Sequence, residues 1–138
     1  MTLSSDDMAR LHGQCFTTPR PWSAAEIAQI LANPYSFALT GPHGFLLGQA
    51  VAGEAELLTI AVDPNLRRQG IGRALVADFC TIARQKGAQT AFLEVAANNT
   101  PAIALYTAAG FTQSGLRRAY YHGPDGTAID AAVMACLL

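Results

Sequence analysis

Charged side chains are scarce in this sequence of 138 residues: nine are basic, ten are acidic, and together they make up 14% of the chain. A typical soluble domain has about 25%. The basic residues include a single lysine, Lys86, and the formal net charge is -1. A nucleic-acid-binding surface needs a basic stripe to displace the counterions of the phosphates, so this balance argues against a nucleic-acid partner.

Cysteines and long apolar runs are also in short supply. Cys15, Cys80 and Cys136 are widely spaced, odd in number and without a CxxC motif, which is typical of reduced thiols in the cytosol. The first residues are polar and acidic, unlike a signal peptide, and no apolar run reaches the roughly 20 residues of a membrane span. The histidines show no metal-ligand spacing. We therefore expect a cytoplasmic protein with no membrane segment and no bound metal.

Apolar residues, in contrast, make up 51% of the chain. At this length one core buries roughly 68% of the surface of the unfolded chain, so residues 1–138 are expected to fold as a single domain. Apolar periodicity, capping residues and turn residues predict the elements. The predicted helices are a first one capped by Ser5 or Asp6 and ending near Phe16, then 24–31, 72–86 and 101–109; the predicted strands are 36–40, 45–51, 56–62, 90–95, 111–121 and 128–137.

This order of elements indicates an α+β fold with a mostly antiparallel sheet. The strand-helix-strand unit over residues 56–95 is predicted to be a parallel crossover, and ligands commonly bind at the strand ends of such units.

The strongest local signal lies between the third predicted strand and the longest helix. It consists of Arg67, Arg68, Gln69, Gly70, Ile71, Gly72 and Arg73. Glycines let a ligand approach the backbone, and the first-turn amides and dipole of a helix attract phosphate. Arginine adds charge-assisted bonds to a polyanion. The loop therefore predicts phosphate binding, with a solvated turn as the alternative; a Walker loop is excluded because no Gly-Lys-Ser/Thr follows.

This loop resembles the Q/R-x-x-G-x-G/A motif of the GCN5-related N-acetyltransferases (GNAT), which binds the pyrophosphate of acetyl coenzyme A. Further segments narrow the resemblance to the bacterial ribosomal-protein-alanine N-acetyltransferases; they are residues 21–23, 60–64, 93–95, 99, 102–106, 110–111, 117–121 and 125–126. The match covers nearly the whole chain. It implies one GNAT-like domain with a sheet of six to seven strands flanked by four helices.

The resemblance implies an acyltransferase that uses acetyl-CoA as co-substrate and acetylates a protein N-terminal α-amino group by direct attack in a ternary complex. The implied acceptor is the N-terminal alanine of a ribosomal protein. The alternatives are a GNAT that acetylates a small-molecule amine or a protein lysine, and a module that binds acyl-CoA without catalysis. The implied partners include neither nucleic acid nor a membrane.

The resemblance also assigns co-substrate contacts. It implies that the strand end formed by Ile60, Ala61 and Val62 contacts the pantetheine arm, with an amide near Val62 polarising the thioester carbonyl. The loop from Arg67 to Arg73 binds the pyrophosphate. Asn99 matches an asparagine that bonds the amide region of the co-substrate, and it can act as a helix N-cap at the same time.

Glu94 is a lone carboxylate in the otherwise apolar strand 90–95. Partial desolvation there would raise its pKa toward that of a useful general base. The alternative is a strand-end carboxylate bonded to neighbouring backbone. In the family, the corresponding glutamate accepts the proton of the attacking amine.

Tyr106 shares a helix face with Ala102 and Ile103, as an ordinary core tyrosine would. In the family, this tyrosine protonates the departing thiolate. The weaker candidates are Cys80, which reads as a buried thiol, and four residues of the penultimate strand. Those four either flank the acceptor peptide or form ordinary cross-strand pairs; they are Arg117, Arg118, Tyr120 and Tyr121.

Three departures from the family pattern border the acceptor side. The first family strand is missing or reduced to residues 2–4, Ala96 stands where arginine is usual, and Ala119 stands where asparagine is usual. We expect them to affect peptide specificity more than acetyl transfer.

Overall fold

The computed structural model describes residues 3–138 and confirms the predicted order of elements. Its helices are α1 (Ser5–Cys15), α2 (Ala24–Ala32), α3 (Ile71–Gln85) and α4 (Thr100–Ala108), and a short 3-10 helix covers Pro64–Leu66. Its strands are β1 (Ser36–Gly41), β2 (Gly44–Val51), β3 (Glu54–Val62), β4 (Thr90–Ala96), β5 (Thr112–His122) and β6 (Ala128–Leu137).

Capping boxes begin the first two helices. Ser23 and Glu26 form a capping box at α2, each side chain accepting the backbone N–H of the other. The predicted cap of α1 at Ser5 or Asp6 is wrong, because Ser4 is the N-cap. Of Ser4, Ser5 and Asp6, only Ser4 has a carboxylate three residues later. That residue, Asp7, accepts the backbone N–H of Ser4 in return.

The first family strand has no counterpart in the described part of the chain. Ser4 caps α1, and no strand precedes that helix within residues 3–138. Thr2, which also belongs to the segment where a reduced strand was expected, lies outside the described residues. Within the described range the sheet therefore starts at β1, after both N-terminal helices.

The six strands form one sheet in the order β1-β2-β3-β4-β6-β5. All neighbours are antiparallel except β3 and β4, which α3 connects as the predicted parallel crossover. This parallel pairing covers only residues 54–56 of β3 and 90–92 of β4. The facing edges of the two strands are therefore unpaired over the rest of their length.

A β-bulge explains why β3 and β4 separate. In the β2–β3 pairing, Leu47 lies opposite Thr59 and Gly48 lies opposite Leu57, so Leu58 is an extra residue on β3. A bulge bends its strand and increases the local twist. Leu58 follows shortly after Glu56, the last β3 residue that pairs with β4. The bend therefore begins where the two strands part.

Helices cover both faces of the sheet. On one face α3 and α4 pack on a core that includes Phe79, Leu93 and Phe111; on the other, α1 and α2 pack over β2 and β3. The first core depends on Gly48, because a Cβ there would lie 2.7 Å from Phe37 and 2.9 Å from Phe79. Among the described residues, none of the helices is both long and apolar enough to span a membrane.

Candidate active site

A cleft of about 980 Å³ opens where β3 and β4 diverge. Of the catalytic and co-substrate-binding residues that the resemblance assigns, all but Gln69 line it. The lining residues among them are Ile60, Ala61, Val62, Arg67, Arg68, Gly70, Ile71, Gly72, Arg73, Glu94, Asn99 and Tyr106. The cleft has two chemically different ends. The arginine end comprises residues 60–73 and Asn99, and the carboxylate end comprises Glu56, Glu94, Arg117, Tyr120 and Tyr121.

The start of α3 forms the arginine end. Its N-cap is Gly70, which has a φ of 82° and no side chain to cap the helix. The first-turn amides of α3 are therefore available to a ligand. Arg67, Arg68 and Arg73 are exposed, and none of them forms an ion pair with another described residue. This arrangement suits a polyphosphate, as the sequence predicts.

The free edge of β3 adds backbone donors and acceptors. The N–H of Asp63 donates to the carbonyl of His43 at 2.8 Å, on the β2 side of the strand. Successive amides of an extended strand point to opposite edges, so the N–H of Val62 points toward the cleft. An unpaired edge of this kind can bind an extended ligand by main-chain hydrogen bonds.

Asn99 is the N-cap of α4, which confirms one of its two predicted roles. Its Oδ1 accepts the N–H of Ala102 at 3.3 Å, and the residue also lines the cleft. Because the cap uses only the oxygen, the side-chain NH₂ can still donate to a ligand.

Glu94 lies on the side of β4 that is turned away from α3 and α4. Its neighbours Leu93 and Val95 belong to the core beneath those helices, whereas the Glu94 side chain is 18% exposed. Its Oε1 lies 3.3 Å from Nε of Arg117 on β5. The strand is therefore covered by helices on one face only, because neither α1 nor α2 packs over this part of the sheet. Glu94 has a guanidinium group for a partner.

Glu56 is a second carboxylate that the sequence interpretation did not single out. It is half-buried in the cleft, opposite Phe92 of β4. Burial raises its pKa, the charge of Glu94 raises it further, and Arg117 partly opposes both effects. Its alternation with the buried Ala55 and Leu57 could have indicated from the sequence that Glu56 lies on the opposite face of β3 from those two residues. Only the folded sheet shows that Glu56 lies near Glu94.

Tyr106 is both a core residue and a cleft residue. Its ring is 6% exposed and packs edge-on against Phe111, with the ring centroids 6.1 Å apart. The residue nevertheless lines the cleft. Burial, and then the neighbouring Tyr121, raises the pKa of the phenol well above its ordinary value. The phenol therefore keeps its proton across the working pH range.

The penultimate strand contributes three of its four candidates to the carboxylate end. Arg117 pairs with Glu94 and lies over the ring of Tyr120, 5.4 Å from its centroid. Tyr120 and Tyr121 line the cleft, and burial, followed by the charge of Glu94, raises the pKa of Tyr121 to about 12. Arg118 is exposed and does not line the cleft.

His12 holds the segment between α1 and α2 against the sheet, which sequence reasoning missed. The buried ring accepts the Trp22 N–H at Nδ1 (3.1 Å), so the neutral ring donates from Nε2 to Thr59 Oγ1 (3.0 Å). It stacks between Phe16 and Trp22, and burial lowers its pKa to about 4. Phe16 and Trp22 form a wall of the cleft.

The remaining candidates lie apart from this chemistry. Cys80 is buried, and burial raises the pKa of its thiol, as predicted for a structural cysteine. Within residues 3–138, the structure contains no group of three or more His, Cys, Asp or Glu side chains arranged to hold a metal ion.

Comparisons with known proteins agree with this geometry. The model of the acetyltransferase (GNAT) family matches residues 6–111. The ribosomal protein bS18-alanine N-acetyltransferase of Escherichia coli K12 is 42% identical over 119 residues, which cover 83% of this chain and 80% of that protein. The N-alpha-acetyltransferase RimI of Mycobacterium tuberculosis is 37% identical over 122 residues, covering 82% and 75%.

A solved structure extends the comparison to the fold. The crystal structure of the ribosomal-protein-S18-alanine N-acetyltransferase from Escherichia coli matches with a TM-score of 0.82 and 36% identity, covering 99% of this chain and 91% of that one. The chain therefore belongs to the acetyltransferase (GNAT) family and is an N-acetyltransferase.

Proposed function

We propose that this protein transfers the acetyl group of acetyl-CoA to the N-terminal α-amino group of a protein, and that the acceptor is a ribosomal protein beginning with alanine. The observation that carries the proposal is that one cleft has arginines suited to phosphate at one end and carboxylates suited to an amine at the other. The choice of acceptor is supported by the relatives that are named as ribosomal protein bS18-alanine N-acetyltransferases.

The arginine end fits the co-substrate. The free amides of α3 and the guanidinium groups of Arg67, Arg68 and Arg73 match the charge of a pyrophosphate. The unpaired edge of β3 offers donors and acceptors to the amides of a pantetheine arm, and the Asn99 NH₂ adds a donor. An amide at Val62 would then stabilise the oxyanion that develops on the thioester carbonyl.

The carboxylate end fits the acceptor. An α-amino group has a pKa of about 7.7 to 8.0 and is therefore partly protonated near neutral pH. The carboxylates of Glu56 and Glu94 attract this ammonium group, while Phe16 and Trp22 offer apolar contacts to the first side chain of the acceptor. Glu94, which pairs with Arg117, is the proposed proton acceptor, directly or through water.

In the proposed reaction the amine nitrogen forms a bond to the thioester carbonyl carbon, and the carbon–sulfur bond breaks. The proton of the amine goes to Glu94. Tyr106 faces the departing sulfur, but its raised pKa makes complete proton transfer to a thiolate unfavourable, since a free thiol has a pKa near 8.5. We therefore assign Tyr106 as a hydrogen-bond donor to the thiolate, which takes its final proton from solvent.

The test uses purified protein, labelled acetyl-CoA and a matched set of acceptors. These are a peptide beginning with alanine, the same peptide with a blocked N-terminus, a blocked peptide that contains lysine, and a small primary amine. We expect label only on the α-amino group of the first peptide, and on an intact ribosomal protein with the same N-terminus. Label on lysine or on the small amine, or tight acetyl-CoA binding without turnover, would contradict the proposal.

A further inference from the structure

A bulge of three residues interrupts β5 next to the cleft. In the β5–β6 pairing, Arg117 lies opposite Ala131 and Tyr121 lies opposite Ile129. Residues 118–120 of β5 therefore face the single β6 residue Asp130. A bulge redirects the side chains of its strand and is often found next to active sites. This bulge lies directly between Arg117, which pairs with Glu94, and Tyr121, which lines the cleft.

The centre of the bulge is an alanine in a left-handed conformation. Ala119 has a φ of 52°, which is unfavourable for any residue with a Cβ except, in part, asparagine and aspartate. Alanine has no polar side chain that could stabilise this backbone locally. An exposed residue keeps such a conformation only when its surroundings impose it.

Asp130 imposes that conformation. Its Oδ1 accepts the backbone N–H of Ala119 at 2.8 Å, a short hydrogen bond to a charged acceptor. The backbone carbonyl of Asp130 accepts the N–H of Ala97, also at 2.8 Å. Ala97 directly follows β4 and lies two residues before Asn99. Asp130 therefore ties the bulge of β5 to the residue that follows β4.

We infer that Asp130 is a positioning residue for the acceptor. Its carboxylate holds the Ala119 bulge in shape, and the bulge places Tyr120 and Tyr121 at the cleft mouth while Arg117 reaches Glu94. The role of Asp130 depends on its hydrogen-bond acceptor and not on its charge. This inference rests on the proposed function, because the acceptor is what the bulge positions.

Four variants test the inference by steady-state kinetics. We expect Asp130→Ala to raise the KM for the acceptor peptide about tenfold, the cost of losing one hydrogen bond, with no change in the KM for acetyl-CoA. Asp130→Asn keeps an acceptor oxygen and should stay close to wild type. Asp130→Ala combined with Ala119→Gly should recover peptide affinity, because glycine adopts the left-handed conformation without strain.

Asp125→Ala is the matched control. Asp125 is an exposed aspartate of the same hairpin and also accepts a backbone N–H, that of Thr127 at 3.0 Å, but it lies outside the cleft. It should leave both KM values unchanged. A rise in the peptide KM of Asp130→Asn as large as that of Asp130→Ala would show a charge effect and overturn the inference. A double variant that does not recover peptide affinity would also overturn it.

Amide hydrogen exchange separates this inference from the proposed function. The Ala119 amide should be protected in wild type and in Asp125→Ala, and it should exchange quickly in Asp130→Ala. If wild-type protein acetylates none of the peptides, the proposed function fails while the exchange result still reports on the bulge. If wild type is active and Asp130→Ala keeps both its peptide KM and its Ala119 protection, the inference fails alone.

Discussion

The arginine end of the cleft is formed almost entirely by one continuous stretch, residues 60–73, whereas the carboxylate end combines side chains from β3, β4 and β5. The first end offers mainly backbone amides and unpaired guanidinium groups. The second offers two carboxylates, one of them paired with Arg117. A site for an extended, phosphate-rich ligand can therefore be encoded by one short stretch of sequence. A site that orients a small reacting group needs several strands to meet.

Charge follows the same division. The net charge of the chain is only -1, yet Arg67, Arg68 and Arg73 lie at one end and Glu56 and Glu94 at the other. Each end should therefore respond to substitution independently, with kcat reporting on the carboxylate end and the KM for acetyl-CoA reporting on the arginine end.

The largest effect is expected for Glu94→Gln. Removal of the proton acceptor should lower kcat about 100- to 1,000-fold, the usual contribution of a general base, while the KM for acetyl-CoA stays unchanged. Glu54→Gln, an exposed carboxylate at the start of β3, is the control and should behave as wild type. Turnover near wild type in Glu94→Gln together with a large loss in Glu56→Gln would move the base from β4 to β3.

A smaller effect is expected for Tyr106→Phe. Loss of the hydrogen bond to the departing sulfur should lower kcat about tenfold or somewhat more. Both KM values should stay near wild type, because the ring and its contact with Phe111 are kept. Tyr35→Phe, on an exposed tyrosine, is the matched control. An unchanged kcat would show that Tyr106 is only a core residue.

The arginine end should respond through binding alone. Arg73→Ala is expected to raise the KM for acetyl-CoA about tenfold through loss of a charge-assisted bond, and added salt should reduce the difference from wild type. The peptide KM should not change. Arg84→Ala, in the last turn of the same helix, controls for total charge. A rise in the peptide KM of Arg73→Ala would show that the two ends are not independent.

The smallest expected effect concerns His12, which lies away from the reacting groups and should make the free energy of unfolding depend on pH. Its folded-state pKa of about 4 lies below the ordinary value of 6.5. Between these values the unfolded chain binds more protons, so the free energy of unfolding should fall as pH decreases from about 6.5 to about 4, by on the order of 2 kcal/mol. Urea denaturation at a series of pH values measures it.

Among the groups with strongly shifted pKa values, only His12 affects the free energy of unfolding between pH 4.5 and 6.5. Glu26 has its pKa lowered from 4.5 to about 2 by Arg20, so its stabilising effect is lost only at lower pH. His12→Gln should flatten the slope between pH 4.5 and 6.5, whereas His122→Gln, on an exposed histidine, should not. A slope that survives in His12→Gln would contradict the assignment of His12 as a neutral, buried ring.

Local features account for what could be predicted. The helix caps and the loop before α3 are decided by residues a few positions apart. Their hydrogen bonds and backbone preferences are the same in any fold. The error at the start of α1 has the same origin, since the decisive residue was Asp7, three positions from the true cap.

Local sequence features predicted the order of the elements, the arginine end and the candidate residues Glu94 and Tyr106. The folded structure was needed to show that the bulge at Leu58 parts β3 from β4, that Glu56 lies near Glu94, and that Asp130 supports the backbone of Ala119. The two sets of features differ in how far apart along the chain the interacting residues lie. Capping and turn preferences act within a few residues, whereas strand register and desolvation depend on segments that meet only in the folded sheet.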